Sequence, residues 1–164
     1  MNSSEADGGA VTVSPPETIV EPGVKVATKL GFVPTILVFS CNWCSYTSAD
    51  LAGVNRLRYP SNTRIIRFMC SGRIEPDFIM RAFEYGADGV VVSGCKLDEC
   101  HYISGNYKAK DRVEMTQKLL DLIGLGARRL RAEWMTAAEG HKFARIMEEF
   151  TQEIMAMGPN PMKL

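Results

Sequence analysis

Apolar runs that are typical of β-strands recur along the chain from Pro34 onward. They cover residues 35–40, 63–69, 88–93 and 129–135, and the first and third runs, TILVFS and DGVVVS, are apolar at most inner positions. A strand without a polar face is expected where both faces of a sheet are covered. The pattern therefore predicts short strands that are buried inside a layered sheet.

Segments with helical features separate these runs. Thr47 is followed three residues later by Asp50, an arrangement close to a capping box, which predicts a helix that starts there and reaches about Leu57. Pro76 suits the first position of a second helix, and Gly86 suits the position just after its end.

Two longer helices are predicted in the second half of the chain. The first begins at Asp111 and ends at Gly124. The second follows a capping box formed by Thr136 and Glu139. Its apolar side chains recur at helical spacing and form one stripe: Phe143, Ile146, Met147, Phe150, Ile154 and Met157.

This alternation predicts an α/β fold, an open and mainly parallel four-stranded sheet with helices on both faces, layered as in flavodoxin-like and Rossmann-like proteins. Right-handed crossovers bring the carboxyl ends of the strands to one edge, where such sheets bind ligands.

We expect one domain over residues 34–164. Residues 1–33 are rich in Ser, Glu, Gly and Pro without a helical period, and we expect an extended or disordered arm there.

Length and charge narrow the class of protein. A chain of 164 residues is long enough for one domain with its own core. Its 19 basic and 19 acidic side chains cancel, so nothing indicates a nucleic-acid or anionic-membrane partner. No apolar stretch approaches the roughly twenty residues that span a bilayer, and no leader peptide is evident. We therefore expect a cytoplasmic protein, in which clustered cysteines more often bind metal or catalyse than form disulfides.

Five cysteines are the strongest chemical signal in the sequence. Cys41 and Cys44 form a CNWC pair, Cys95 and Cys100 form a CKLDEC pair, and Cys70 stands alone. Because Cys41, Cys70 and Cys95 each follow a predicted strand, a parallel sheet would gather their thiols at one edge. Soft thiolate ligands in one place suit zinc or an iron–sulfur cluster.

Three kinds of site are compatible with this spacing. Cys41 and Cys44 alone would form the dithiol of a thiol–disulfide oxidoreductase, which leaves the other thiols without a use. Structural zinc would make the chain a zinc-stabilised interaction module, although an α/β domain of this size hardly needs one. A [2Fe–2S] cluster would take Cys41, Cys44, Cys95 and Cys100, with Cys70 as a fifth thiol that is unused or replaces one of them. The spacing does not decide among these sites.

Aromatic residues flank the cysteines, and the sequence shows no set of residues typical of a catalytic site. Trp43, Tyr46, His101 and Tyr102 would shield a cluster from water, and such shielding tunes its potential. The other histidine, His141, is on a predicted helix, and the sequence has no phosphate-binding glycine loop. A redox centre without an evident substrate pocket is more typical of a non-catalytic electron carrier than of an enzyme.

Several stretches of the sequence resemble the delta subunit of methyl-viologen-reducing hydrogenase. They are CNWCSY at 41–46, RIIR at 64–67 with MCSGR at 69–73, GADGVVV at 86–92, GC at 94–95 and CHYISGNY at 100–107. Glu133-Trp134 and Glu139-Gly140 agree as well, and the similarity spans residues 34–161.

The resemblance implies a small [2Fe–2S] subunit that relays electrons in the complexes of methanogenesis. In such complexes the donor is a hydrogenase, through its small subunit, or a formate dehydrogenase, and the acceptor is the flavin-containing A subunit of heterodisulfide reductase. The acceptor complex divides electrons between ferredoxin and the coenzyme M–coenzyme B heterodisulfide. The family's five cluster-associated cysteines are matched here by Cys41, Cys44, Cys70, Cys95 and Cys100. The resemblance gives no role to residues 1–33.

Overall fold

The structure, a computed structural model, describes residues 31–163. Strands and helices alternate along it as the sequence predicts. The elements are β1 (Ile36–Cys41), α1 (Ser45–Val54), β2 (Thr63–Phe68), the 3-10 turn η1 (Ser71–Arg73), α2 (Pro76–Glu84), β3 (Gly89–Cys95), α3 (Gly105–Leu122), the 3-10 turn η2 (Ala127–Arg129), β4 (Leu130–Met135) and α4 (Gly140–Met157). Of the predicted N-terminal arm, residues 1–30 lie outside the described residues.

The strands form one parallel sheet in the order β2-β1-β3-β4. The chain therefore winds to one side of β1 and then to the other, which makes the gap between the carboxyl ends of β1 and β3 the topological switch point. In doubly wound sheets, ligands bind at this point because the two following loops diverge there. The predicted parallel α/β fold is confirmed.

Apolar side chains cover both faces of the sheet. On one face Val90 and Val92 pack in a cluster with Phe83 of α2 and Val113 of α3. On the other face Val91 packs in a cluster with residues of α1 and α4, which include Ala52, Phe143 and Phe150. All positions of β3 are buried, as expected for a central strand between helices. The predicted helices on both faces are confirmed.

The expected start of α1 is wrong. The helix begins at Ser45, two residues before Thr47, and Cys44 is its N-cap residue. The Thr47 hydroxyl donates to the carbonyls of Asn42 and Trp43 at 3.1 and 3.2 Å, so it bonds back to the preceding turn and does not cap a helix.

The expected start of α3 is also wrong. The helix begins at Gly105 and not at Asp111. Gly and Asn are weak helix formers, which hides this first turn from a sequence pattern. Tertiary contacts set the start of α3 instead. The buried side-chain amide of Asn106 donates to the carbonyls of Cys95 and Lys96 at 3.3 and 2.8 Å, and these bonds hold the start of the helix against the end of β3.

Within residues 31–163, every helix is too short or too polar to cross a bilayer.

Candidate metal centre

The carboxyl edge of the sheet carries all the cysteines. Cys41 is the last residue of β1 and Cys95 the last residue of β3, while Cys44 precedes α1. Since β1 and β3 are neighbours, the Sγ atoms of Cys41 and Cys95 lie 3.7 Å apart. The Cys44 thiol is also a neighbour of Cys95, and it contributes to the raised pKa of Cys95. These three thiols form a first group at the switch point.

Cys70 and Cys100 form a second thiol group beside the first. Both sulfurs lie against Gly105, and each thiol affects the pKa of the other. Cys70 follows β2, and the Cys41 thiol lies 3.9 Å from the carbonyl oxygen of Met69, the residue before Cys70. The two groups therefore adjoin where β1, β2 and β3 end.

Two glycines allow the second group to form. A Cβ atom on Gly105 would collide with the Cys70 sulfur and would lie 3.4 Å from the Cys100 sulfur. A Cβ atom on Gly72 would lie 2.7 Å from the Cα atom of Gly105. The turn after β2 and the start of α3 therefore touch through bare backbone, and the two thiols meet in the space that side chains would otherwise fill.

Backbone amides at the start of α3 and in the turn before it surround the Cys100 sulfur. Burial acts to raise the pKa of Cys100, but hydrogen bonds from three backbone N–H groups and from Cys70 outweigh it, so the pKa of this thiol is lowered. The three amides belong to Tyr102, Asn106 and Gly105. The first N–H groups of a helix have no partner within the helix, and they favour a negative sulfur.

At Cys44, Cys70 and Cys95 the effect of burial is not outweighed. Cys41 and Cys95 are each 1% exposed. Burial raises the pKa of Cys95 far above the ordinary value, and it raises the pKa of Cys44 and of Cys70 as well. The amide of Gly72 partly offsets this at Cys70 by donating to its sulfur at 3.4 Å. Buried thiolates become stable when a bound metal supplies the compensating positive charge.

A buried hydroxyl without a partner lies between the cysteine-bearing segments. Ser71 is 1% exposed, and its Oγ atom meets no hydrogen-bond partner among residues 31–163. This polar atom, the soft donor set and the amides around Cys100 fit a sulfur-rich inorganic group. Within residues 31–163, no group of three or more His, Cys, Asp or Glu side chains is arranged so that it could hold a metal ion. The sulfur contacts link Cys95 to Cys41 and to Cys44, and Cys70 to Cys100.

Aromatic side chains cover part of this edge. The rings of Trp43 and His101 are stacked with centroids 3.8 Å apart, and Tyr102 meets both rings edge-on. Tyr46 is also predicted from the sequence to shield the centre from water. Its ring lies under the guanidinium group of Arg67, with 5.1 Å between the Arg67 Cζ atom and the ring centroid.

Three residues of the centre have side-chain or packing roles that the sequence analysis did not predict. Ser71 holds the unpartnered hydroxyl, Gly105 makes room for two sulfurs, and the Asn106 side chain bonds to the end of β3. The available signal was their position directly after Cys70 and shortly after Cys100, in segments rich in Ser, Gly and Asn.

The model of the methyl-viologen-reducing hydrogenase delta subunit family matches residues 36–158, which include every cysteine of the chain. The chain belongs to this family. Relatives that are separate hydrogenase subunits agree over nearly their whole length. The iron-sulfur D subunit of the vhc F420-non-reducing hydrogenase of Methanococcus voltae is 52% identical over 79% of this chain and 90% of its own. The iron-sulfur D subunit of the F420-non-reducing hydrogenase of Archaeoglobus profundus is 48% identical over 77% of this chain and 92% of its own.

The delta-subunit domain also occurs inside a larger protein. The A subunit of the ferredoxin/F(420)H(2)-dependent CoB-CoM heterodisulfide reductase of Methanosarcina acetivorans is 51% identical over 126 residues. The match covers 77% of this chain but only 16% of that relative's length.

Proposed function

We propose that this protein is a cytoplasmic, non-catalytic electron-transfer subunit that relays single electrons through a [2Fe–2S] cluster. The donor in this proposal is the small subunit of a hydrogenase, or a formate dehydrogenase, and the acceptor is the flavin-containing A subunit of heterodisulfide reductase. One observation carries the proposal: thiols from three strand ends converge at the switch point of the sheet, in a family with relatives named as iron-sulfur subunits.

The proposed ligands are Cys41, Cys44, Cys95 and Cys100, with Cys70 as the fifth thiol. A bound [2Fe–2S] cluster supplies reversible one-electron chemistry. The chain supplies the thiolates, limits their contact with water by burial, and donates backbone hydrogen bonds to the Cys100 sulfur from the start of α3 and the turn before it. Hydrogen bonds and burial are the means by which a protein sets the potential of such a centre.

The comparisons support the proposed partners. The Methanosarcina acetivorans relative contains a similar domain within the A subunit of a heterodisulfide reductase, where chain connectivity keeps that domain close to the rest of the polypeptide. The relatives that match over nearly their full length carry the name of a hydrogenase subunit. A separate subunit that docks between these two kinds of protein accounts for both observations.

The surface around the thiols also suits a protein partner. Exposed apolar side chains lie in or next to the cysteine-bearing segments: Trp43 at 38%, Met69 at 57%, Tyr102 at 47% and Ile103 at 86%. Ile103 also has a φ of 74°, which is rare for a β-branched residue. Clustered apolar exposure and local backbone strain are both typical of functional surfaces.

The geometry weighs against a dithiol–disulfide enzyme. A reactive thiol needs access and a lowered pKa. Here Cys41 is 1% exposed, and burial raises the pKa of Cys44.

The proposed relay is tested by reconstitution with a donor and heterodisulfide reductase, with reduction of the acceptor flavin as the readout. Wild-type protein should support flavin reduction. Cys95→Ser should abolish both the cluster and the transfer, because Cys95 contacts two other thiols. Cys70→Ser is the comparison variant, and we expect it to retain the cluster. Full cluster content in Cys95→Ser would contradict the ligand assignment, and a loaded wild-type protein that transfers no electrons would contradict the relay.

A further inference from the structure

The hydroxyl of Ser71 stands out from the other buried serines at this edge of the sheet. Ser45 donates to the carbonyls of Cys41 and Ser93 at 3.2 and 3.0 Å, and Ser48 donates to the carbonyl of Thr136 at 2.5 Å. The hydroxyls of Ser40 and Ser93 are paired as well. Ser71 Oγ alone in this set has no partner among the described residues 31–163.

The position of Ser71 places its hydroxyl between two cysteine-bearing segments. It directly follows Cys70, and its Oγ atom lies 2.7 Å from the point that a Cβ atom on Gly94 would occupy. Gly94 directly precedes Cys95. The absence of a side chain at residue 94 therefore leaves space that the hydroxyl uses, at the place where the turn after β2 packs against the end of β3.

An unpaired hydroxyl in such a position carries an energetic cost. Buried polar groups are nearly always hydrogen-bonded, so a buried hydroxyl without a partner calls for a specific explanation. The neighbouring chemistry supplies one, because the sulfurs of an iron–sulfur cluster accept hydrogen bonds.

We propose that Ser71 is a positioning residue whose hydroxyl donates a hydrogen bond to a sulfur of the bound cluster and thereby raises its reduction potential. This inference rests on the proposed function. A sulfur that becomes more negative on one-electron reduction accepts a stronger hydrogen bond, so the donor stabilises the reduced state more than the oxidised state. No proton is transferred in this step, and the electron comes from the external reductant.

The test is a potentiometric titration of the full chain, purified without oxygen, in which the paramagnetic signal of the reduced state is followed. Ser71→Ala should retain wild-type iron and acid-labile sulfide. Its midpoint should move to a more negative potential by about 20 to 60 mV, which corresponds to a two- to tenfold change in the equilibrium and to the net value of one hydrogen bond.

A matched control removes another buried hydroxyl that lacks a partner in the described residues. Thr63 Oγ1 is such an atom, and it lies at the first residue of β2, the end of the strand opposite to Cys70. Thr63→Val should leave the midpoint unchanged. A second control, Ser45→Ala, removes a paired hydroxyl close to Cys41, and a shift of equal size in that variant would overturn the assignment to Ser71.

The remaining outcomes separate failure of the inference about Ser71 from failure of the proposed function. A loaded Ser71→Ala protein with the wild-type midpoint would overturn the inference while leaving the proposed function intact. A wild-type protein without iron and sulfide would instead remove the proposed function. If Ser71→Ala fails to load, Ser71→Thr separates the explanations: loading in the Thr variant supports a role for the hydroxyl, and failure of both variants overturns it.

Discussion

Gly105 shows how strongly the thiol centre depends on single positions. A methyl group there would occupy the space of the Cys70 sulfur and press against that of Cys100. The sequence could not reveal this, because the contact joins the turn after β2 to the start of α3 and depends on how these segments pack. The cysteines themselves were recognisable, since thiols at successive strand ends are visible in the sequence.

Gly105→Ala should displace Cys70 and press on the proposed ligand Cys100, whose sulfur would lie 3.4 Å from the new Cβ atom, and it should thereby lower the iron and sulfide content per chain. Overpacking of this kind costs about 1–3 kcal/mol, which we expect as a loss of stability in chemical denaturation. Gly53→Ala is the matched control, because Gly53 lies in α1 and a Cβ atom there would meet nothing within 4 Å. That variant should keep the cluster and gain up to about 1 kcal/mol from helix propensity. Full iron and sulfide in Gly105→Ala would show that the close contact is not required.

Some features of the helices follow from local sequence, whereas others depend on packing between distant segments. The apolar stripe of α4 was predictable because helical period is a local property, and five of its six predicted members are buried. The contact between Thr136 and Glu139 also exists, with the Thr136 N–H donating to the Glu139 carboxylate at 2.6 Å. The regular helix nevertheless begins at Gly140, after this contact. The start of α3 was not predictable, since buried bonds from Asn106 to the end of β3 fix it.

The contact at the start of α4 makes a pH-dependent contribution to stability. The hydrogen bond from the Thr136 N–H lowers the pKa of Glu139 below its ordinary value of 4.5. A lowered carboxyl pKa stabilises the folded state above the ordinary value, and that contribution disappears as the pH falls through the folded-state pKa. Glu139→Ala should therefore cost about 0.5–1 kcal/mol at pH 7 in urea denaturation, with a difference that shrinks below about pH 4.5.

Glu139→Gln is the matched control for this element. Its amide oxygen can still accept the hydrogen bond from Thr136, so much of the stability at pH 7 should remain while the pH dependence is lost. A constant difference between wild-type and Glu139→Ala proteins from pH 7 to pH 3.5 would contradict the role given to the hydrogen bond between Thr136 and Glu139.

At the scale of the whole molecule, strand order turns five separate cysteines into one centre. The alternation of strands and helices was enough to predict a parallel sheet with thiols at one edge. It did not predict the order β2-β1-β3-β4, which makes β1 and β3 neighbours and brings Cys41 within 3.7 Å of Cys95. The Cys95 and Cys100 pair is therefore divided in space: Cys95 lies beside Cys41 and Cys44, and Cys100 lies beside Cys70.

Elemental and spectroscopic analysis of the full wild-type chain, purified without oxygen, decides whether the cysteines hold an iron–sulfur cluster. We expect a brown protein with about two iron and two acid-labile sulfide per chain, and a paramagnetic signal that appears when one electron is added. A colourless protein that contains zinc, or one that contains neither iron nor sulfide and reduces disulfides, would contradict the proposed cluster.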